Sequence, residues 1–465
     1  MIGERGSDTP SARLEPSTWE RAHERLIADL RDLIRLRTVN PPGDEILAAR
    51  HVGSVLDDAG VPATVVEPFP SRGSVVARLH GDGTGGGPLL LFGHLDVVPA
   101  PGEWTHDPFG ADVADGYVYG RGAVDMKNLV AMELGVVLLL AAEARAAGRD
   151  PASDPVPGLR RDILFAATAD EEAGGRHGVR WIADEHPEWL RADAAINEVG
   201  GVSMELGGRR FYPIGVAEKG FLIYELTVHG IAGHGSMPRD DNAAVRAARI
   251  VERLAAPRPS RLTPVTERLF RAIAEAAPVL RAAIAGVTRG DGGVTADEAD
   301  DPCDASVARV AAAITRDTVS PNVIHAGVKY NVIPGEAVVE VTEESMRHEL
   351  RRMIGEELWA VTDVRLVVAG DPVEAPVDHG LYRTMADTLR DHDPEAVPVP
   401  AIVPFGTDAK TTGPLGVPTY GFSPLRLDPA ERFLERFHGV DERVSLEALR
   451  FGLPVLYDVV RRYCD

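Results

Sequence analysis

The 465-residue chain has only two cysteines, Cys303 and Cys464. Two thiols this far apart in sequence suggest neither a disulfide framework nor a metal site built from thiolates. Basic residues are also in the minority, because 49 lysines and arginines face 71 aspartates and glutamates, which gives a formal net charge of −22. Nucleic acids and anionic membranes bind basic surfaces, so we expect neither as a partner.

A long apolar run is missing from the first 37 residues, which are polar with interspersed charges. A secretory signal needs an apolar core of about 7–15 residues, and a membrane helix needs about 20. We therefore expect no export signal and no membrane anchor. Together with the scarcity of cysteine, this predicts a cytoplasmic protein, and we expect residues 1–16 to form a disordered leader.

Length and composition predict two domains with substantial cores. The chain exceeds the roughly 250–300 residues at which single cores stop growing, and 44% of its residues are apolar. Helical and strand patterns alternate up to residue 197, which is typical of an α/β fold with a mixed, largely parallel sheet flanked by helices. Helices are predicted at 17–36 with Ser17 as the N-cap, 46–59, 127–147 and 179–185, and strands at 63–67, 74–79, 88–92, 163–167 and 194–197.

The middle of the chain predicts a smaller α+β domain inserted into the first. Alternating residues at 221–228 indicate a strand, and polar residues 240–242 can cap a helix that runs to 254. A strand pair is predicted at 318–329 and 336–342. We therefore predict a first domain made of residues 1–217 and 351–465, and an inserted domain made of residues 218–350.

Two imidazoles and several carboxylates end apolar runs or lie just beyond them: His94, Asp125, Glu172, Glu198 and His438. This set of oxygen and nitrogen donors suits a pair of Zn²⁺, Co²⁺ or Mn²⁺ ions. Three of the stretches follow predicted strands, and ligands gather at the carboxyl ends of parallel strands. We therefore expect one site to collect them.

Each stretch also has a purely structural explanation. His94 and Asp96 could form a hydrogen-bonded pair at a strand end, and Asp125 could cap the helix that follows it. The acidic residues 170–172 could favour a helix N-terminus. Glu198 and His438 carry little information alone. Their occurrence together, with three of the stretches placed just after strands, favours the joint metal site.

The order of these motifs resembles that of the co-catalytic di-zinc hydrolases, the family of aminoacylase, carboxypeptidase G, carboxypeptidase S, acetylornithine deacetylase and succinyl-diaminopimelate desuccinylase. The signatures include Gly-His-Leu-Asp-Val-Val-Pro at 93–99 and Asp-Glu-Glu at 170–172, and the others lie at 119–127, 233–236, 331–335 and 406–409. Residues 104–109 and 421–425 look most like the carboxypeptidase S-like members. The resemblance implies a catalytic domain with an inserted lid or dimerisation domain.

The resemblance also implies roles at the metal site. Asp125 would bridge two divalent ions, either zinc or else cobalt or manganese. His94 and Glu198 would complete the ligands of one ion, and Glu172 and His438 those of the other. A water molecule between the ions would ionise near neutral pH and attack an amide carbonyl.

Two further residues beside the ligands are implied to assist the reaction. Glu171 would act as the general base and return the proton to the leaving amine. Asp96 would hydrogen-bond the free ring nitrogen of His94 and fix its tautomer.

The inserted domain is implied to contribute His234 and Asn331. In the family, the matching histidine often reaches the active site of a partner subunit and stabilises the oxyanion, and the asparagine binds near the scissile group. A homodimer would follow. The local sequence alone predicts instead that His234 belongs to a polar turn, Gly-His-Gly-Ser at 233–236.

One departure from the family pattern concerns the substrate carboxylate. Many members have an Asp-x-Arg triplet after the motif at 331–335, and that arginine can bind the carboxylate of the substrate. Here Thr342 stands where those relatives have arginine. An arginine–carboxylate pair is a specific recognition device. Lys410, Arg316 or Lys329 could substitute, and the sequence does not distinguish among them.

These observations predict a metal-dependent hydrolase that cleaves an amide or peptide bond of an N-acyl amino acid or short peptide. Two alternatives stay open. The missing arginine favours an amide substrate without a free α-carboxylate. A non-catalytic, metal-binding dimeric homologue is the other alternative, although a binding protein has no need for a general base such as Glu171.

Overall fold

The computed structural model describes residues 9–256, 258–289, 309–343, 347–428, 431 and 433–465. Within these residues, no helix is both long and apolar enough to cross a membrane. Residues 1–8 of the expected leader lie outside the described part. Residues Pro10–Arg13 form a 3-10 turn, and the Ser11 hydroxyl donates to the carboxylate of Asp458 in the last helix. The expected disorder is therefore wrong for this part of the leader.

A ten-stranded sheet forms the centre of the molecule. Its order is β1-β2-β6-β3-β7-β18-β9-β16, with β8 and β17 also paired to β9. The strands β6, β3, β7 and β18 run parallel to one another, and antiparallel strands flank them. The bounds are β1 Ala63–Phe69, β2 Arg72–Leu79, β3 Leu89–His94, β6 Ile163–Thr168, β7 Ala194–Asn197, β8 Met204–Leu206, β9 Arg209–Glu218, β16 Val373–Glu374, β17 Ala396–Val403 and β18 Thr419–Gly421.

Helices cover this sheet, as the predicted α/β fold requires. The strands β3 and β6 are buried along their whole length. Their largely apolar sequences allow this, because a parallel strand covered on both faces needs a continuous apolar run. The main helices span Pro16–Arg35, Glu45–Asp58, Lys127–Ala146, Val179–Glu185, Gly380–His392, Ala409–Thr412 and Leu446–Cys464. The first four of these helices, with the strands β1, β2, β3, β6 and β7, confirm the predicted elements to within a few residues. The expected N-cap is wrong, because Glu15 precedes the first helix and Pro16 occupies its first position.

A second, four-stranded antiparallel sheet has the order β12-β14-β10-β15. Its strands are β10 Phe221–His229, β12 Val319–Ala326, β14 Glu336–Glu343 and β15 Thr362–Gly370, and the helices Ala243–Leu254, Arg347–Ile354 and Glu356–Trp359 accompany it. The Asn242 side chain accepts from the backbone of Ala244 and caps the first of these helices, as predicted. The sheet includes β15, which lies beyond the predicted boundary at residue 350. The domain boundaries themselves stay a prediction.

Part of the middle segment returns to the first sheet. The helices Pro264–Ala276 and Arg281–Arg289 and the helical residues 309–314 lie between β10 and β12 in sequence. Leu269, Phe270 and Ile314 pack in one cluster with Phe211 of β9 and Val399 of β17. The segment inserted between the strands of the second sheet therefore covers the β9–β17 end of the first sheet.

Two small ladders complete the architecture. The strands β11 Gly233–His234 and β13 Val332–Ile333 pair with each other. The strands β4 Val113–Ala114, β5 Tyr117–Tyr119 and β19 Arg443–Ser445 form the other ladder. The second ladder brings the C-terminal segment next to the loop that precedes the helix Lys127–Ala146.

Candidate metal centre

Three adjacent parallel strands deliver side chains to one edge of the central sheet. His94 is the last residue of β3, Glu171 and Glu172 lie in a 3-10 turn shortly after β6, and Glu198 follows β7 directly. The strand order β6-β3-β7 places these strand ends side by side. The carboxyl ends of parallel strands are the usual position of sites in such sheets.

Asp125 lies between the two imidazoles. Its Oδ1 atom is 3.3 Å from Nε2 of His94, and its Oδ2 atom is 3.2 Å from Nε2 of His438. Each imidazole also faces a second carboxylate, because Oε1 of Glu198 is 3.7 Å from His94 and Oε1 of Glu172 is 3.4 Å from His438. The five predicted ligands are therefore together, with one aspartate shared by two histidine–glutamate pairs.

The donor atoms fit divalent cations. His94, Glu171 and Glu198 form one group of atoms within 4.8 Å of one another, and His94, Asp125 and Glu172 form a second. Among the described residues, Oε1 of Glu172 is buried without a hydrogen-bond partner. Buried carboxylate oxygens need a partner, and imidazole with carboxylate is a donor set that zinc and related ions accept. The His438 side chain is 53% exposed, so the centre is open on its side.

The pKa values of the proposed ligands indicate an excess of negative charge at this cluster. Burial alone would lower the pKa of His94, but the carboxylates of Glu198 and Asp125 raise it well above its ordinary value. The facing carboxylates of Asp125 and Glu172 raise the pKa of His438 to about 10. Burial raises the pKa of Glu198 to about 8, and the nearby Asp125 adds to this. A cluster that retains protons in this way has an excess of negative charge that divalent cations would neutralise.

Glu171 lies beside the donors. Its Oε2 atom is 4.0 Å from Nε2 of His94. Burial raises its pKa well above the ordinary value, while the nearby imidazole of His94 opposes the rise. A raised pKa makes the protonated form of a carboxyl group more accessible, which suits a general acid–base group.

Asp96 supports the turn that carries Glu171 and Glu172. Its carboxylate accepts from the backbone N–H groups of Glu171 and Glu172, at 3.1 and 3.0 Å, and from the Asn40 amide at 2.8 Å. The Nδ1 atom of His94 lies 3.0 Å from the backbone carbonyl of Asp96 and 3.5 Å from its carboxylate. The nearer contact of His94 is therefore the carbonyl, whereas we predicted the carboxylate.

A buried polar network behind the centre was not predicted from sequence. The Arg72 guanidinium donates to Asp170 and Glu45, at 2.6 and 2.7 Å, and to the side-chain oxygen of Asn40. Asn40 in turn donates to Asp96 and Asp170. This network fixes the acidic turn from behind. The sequence Asn-Pro-Pro-Gly at 40–43 indicates a turn, but no local pattern assigns Asn40 to the site.

Asp408 and Lys410 link the metal centre with the two segments through which the chain passes between the first and the second sheet. Asp408 accepts from the Thr168 hydroxyl at 3.1 Å, and burial raises its pKa to about 7. The Lys410 ammonium donates to the carbonyls of Lys219 and Asp371, at 2.7 and 2.9 Å. These carbonyls lie where the chain enters and leaves the second sheet. The Lys410 ammonium, which we predicted to bind substrate, therefore stabilises these two connections between the sheets.

The structure brings His234 and Asn331 together. The Gly235 N–H donates to the Asn331 carbonyl at 2.8 Å, in the ladder that pairs His234 with Val332. The exposed His234 imidazole contacts the Ser236 hydroxyl at 2.7 Å. The side-chain oxygen of Asn331 is buried without a hydrogen-bond partner among the described residues. His234 is absent from the two clusters of metal-binding atoms found in the described residues.

Comparisons with known proteins find a family model and several relatives. The model of peptidase family M20/M25/M40 matches residues 90–462. The chain is 27% identical to aminoacylase-1 of Sus scrofa over 449 residues, which cover 91% of this chain and 92% of the relative. It is 25% identical to a probable carboxypeptidase S-like protein of Dictyostelium discoideum over 397 residues, covering 80% of this chain and 71% of the relative.

A solved structure with a similar fold is that of an M20 family metallo-carboxypeptidase from Sulfolobus solfataricus. The TM-score is 0.68 at 16% sequence identity, and the match covers 94% of this chain and 99% of that one. At this identity the likeness concerns the fold, which it confirms over nearly the whole length.

Proposed function

Because the chain belongs to peptidase family M20/M25/M40, we propose that it is a di-zinc hydrolase that cleaves the amide or peptide bond of an N-acyl amino acid or a short peptide. Family membership establishes the coarser statement, a metal-dependent hydrolase of C–N bonds. The observation that carries the finer proposal is the position of Asp125, whose two oxygens face His94 and His438. A carboxylate shared in this way is suited to bridge two ions about 3.5–4 Å apart.

The proposed ligands form two sets that share one member. Asp125 with His94 and Glu198 would hold one ion, and Asp125 with Glu172 and His438 would hold the other. Bound ions would polarise the scissile carbonyl and lower the pKa of a nearby water molecule. Cobalt or manganese would suit the same donors.

In this proposal Glu171 is the proton carrier. Its carboxylate takes a proton from the attacking water and donates it to the amine that leaves. Its burial supports this role, since a raised pKa makes the protonated form accessible between the two transfers. Asp96 and the network behind it hold Glu171 and Glu172 in place through the backbone N–H groups of the turn.

We further propose a homodimer in which His234 and Asn331 of one subunit reach the centre of the other. Their shared ladder and the exposed His234 support this arrangement. We also propose a cytoplasmic location, because the chain contains few cysteines.

The proposal is tested with purified protein reconstituted with zinc. Metal analysis should find two ions per chain, and N-acetyl amino acids or dipeptides should be hydrolysed with release of a free amine. Removal of metal with a chelator should abolish the hydrolysis, and added zinc should restore it. A protein that binds fewer than two ions, or that turns over neither substrate class, would contradict the proposal.

A second candidate substrate is an amide without a free α-carboxylate. The engagement of the Lys410 ammonium with two backbone carbonyls favours it, because one of the three predicted substitutes for the missing arginine is then occupied. Comparing an N-acetyl amino acid with its methyl ester and its amide distinguishes the two. A substrate carboxylate that is recognised should make the free acid the best of the three.

A further inference from the structure

Strand β3 stays paired with β6 up to its last residue, whereas its pairing with β7 ends earlier. The β3–β6 ladder includes the pair His94–Thr168. The β3–β7 ladder ends at the pair Leu91–Ile196. Pairing between β3 and β7 therefore stops just before these strands deliver His94 and Glu198, which we propose as ligands of the same ion.

Two side chains from the segment after Asp125 bind the backbone of β3 at this point. The Phe92 N–H donates to Oε1 of Glu133 at 3.1 Å, and the His94 N–H donates to Sδ of Met126 at 3.2 Å. A carboxyl oxygen is the stronger acceptor, because a thioether sulfur accepts only weakly. Glu133, in the helix Lys127–Ala146, is therefore the stronger of the two links between this segment and the end of β3.

The helix approaches β3 closely at the same point. A Cβ atom at Gly93 would lie 2.4 Å from Cε of Met126 and 3.0 Å from Cγ2 of Val130. Any other residue at this position would push the strand and the helix apart, and glycine marks strand positions where another segment comes close. Gly93 thus permits the approach that brings the Glu133 carboxyl to the Phe92 N–H.

Glu133 is fully buried among apolar residues, and the adjacent Met132 and Leu134 belong to the main core cluster. Its Oε2 atom has no hydrogen-bond partner among the described residues. Burial raises the pKa of Glu133 well above its ordinary value, while the Phe92 N–H opposes the rise, so the neutral form is favoured. A leucine would avoid the cost of burying a carboxyl group but would leave the Phe92 N–H without this acceptor.

We propose that Glu133 is a positioning residue of the metal centre, which fixes the end of β3 so that His94 and Glu198 hold the same ion. This inference rests on the proposed function. Glu133 is absent from the two groups of metal-binding atoms found in the described residues, so it acts through the backbone of β3. The ion assigned to Glu172 and His438 depends on other segments, and its binding should change little when Glu133 is replaced.

Two substitutions of Glu133 separate its acceptor from its packing. Glu133→Leu removes the acceptor, and Glu133→Gln keeps one in a neutral side chain of the same length. Metal content is measured by elemental analysis after equilibration with a series of buffered free zinc concentrations. In Glu133→Leu, retention of one ion should require roughly tenfold more free zinc than in the wild type, and retention of the other less than about threefold more. Glu133→Gln should bind both ions nearly as the wild type does.

Unchanged binding, equal weakening of both ions, or a Glu133→Gln protein as weak as Glu133→Leu would overturn the positioning role. Two further backgrounds identify the affected ion. His438→Ala removes a ligand of one ion, and Glu198→Ala removes a ligand of the other. Adding Glu133→Leu should weaken the remaining zinc roughly tenfold in His438→Ala and leave it nearly unchanged in Glu198→Ala. The reverse pattern would contradict the inference.

Val137→Ala is the control for a loss of packing, because Val137 is a buried residue one turn further along the same helix. It should lower the free energy of unfolding of the metal-free protein while the affinity for each ion changes less than about threefold. If Glu133→Leu does not fold, Glu133→Met replaces it, because methionine keeps the unbranched shape and offers only a weak acceptor.

Hydrogen exchange of the metal-free protein tests the contact without any bound ion. The Phe92 amide should exchange roughly tenfold faster in Glu133→Leu than in the wild type, Glu133→Gln or Val137→Ala, as measured by mass spectrometry of peptides from β3. If the wild type binds fewer than two ions, the proposed function fails, and this exchange alone decides whether Glu133 fixes the end of β3. Equal exchange of the Phe92 amide in all four proteins would overturn the inference.

Discussion

The Arg121 guanidinium and the Glu442 carboxylate form a fully buried ion pair beside the metal centre. Glu442 also accepts from the backbone N–H groups of Val124 and Asp125, at 2.7 and 3.1 Å, and Arg121 donates to the carbonyl of His438 at 3.2 Å. The pair therefore connects the backbone of two proposed ligands that come from distant parts of the chain. We infer that it positions Asp125 relative to His438.

Glu442→Gln should destabilise the protein and weaken its metal binding. Glutamine keeps an acceptor for the two N–H groups but leaves the Arg121 charge buried and uncompensated, which costs roughly 3–5 kcal/mol in comparable pairs. Chemical denaturation with chelator present measures the free energy of unfolding without the contribution of bound metal. The double variant Arg121→Met/Glu442→Gln should recover roughly 1–3 kcal/mol of this loss. No recovery would mean that the pair is not coupled.

Asp125→Ala should abolish both activity and the binding of two ions, because it removes the shared donor. Elemental analysis after dialysis measures the metal content. Glu171→Gln is the matched comparison: it should keep both ions while kcat falls roughly 10²–10⁴-fold, the usual share of general acid–base catalysis. An Asp125→Ala protein that retains two tightly bound ions would refute the bridge. Near-normal turnover by Glu171→Gln would remove Glu171 from the mechanism.

Metal affinity should increase with pH across the neutral range. The pKa of His438 is raised to about 10 because Asp125 and Glu172 hold its proton. Below that pH an incoming ion must displace the proton, so affinity falls as the pH falls. We expect the apparent association constant to rise about tenfold per pH unit between pH 7 and 8.5 for each proton released. Competition with a chelator of known pH dependence measures it, and a flat profile would contradict the assignment of His438 as a ligand.

Mixing two inactive variants tests whether His234 acts across a dimer interface. His234→Ala and Glu171→Gln chains should regain activity in mixed dimers, because one composite site then has both intact groups. If each site borrows one histidine, about half of the sites in mixed dimers should recover. Mass spectrometry of differently tagged chains must first establish that mixed dimers form. Absence of recovery in proven mixed dimers would restrict His234 to its own chain or to a structural role.

The sequence predicted the first sheet well because its signals are local. The continuous apolar run at 88–92 predicts a buried parallel strand, and β3 is Leu89–His94. The side chains that follow such strands must meet at one edge, so His94, Glu171 and Glu198 could be grouped without coordinates. The ligand residues could likewise be recognised from the family resemblance.

Only the tertiary structure decided the arrangements that depend on contacts between distant segments. No local pattern predicts that the segment around Phe270 returns to the first sheet or that β15 joins the second sheet. Nor does one predict that the Lys410 ammonium stabilises a connection between the two sheets. Packing against a sheet end requires complementary surfaces from separate parts of the chain, and periodicity describes one part at a time. That packing also forms one wall of a cavity of about 380 Å³, which Glu198, Phe211 and Phe270 line. The sequence by itself therefore determined the class of chemistry, and the fold decided what space lies next to it.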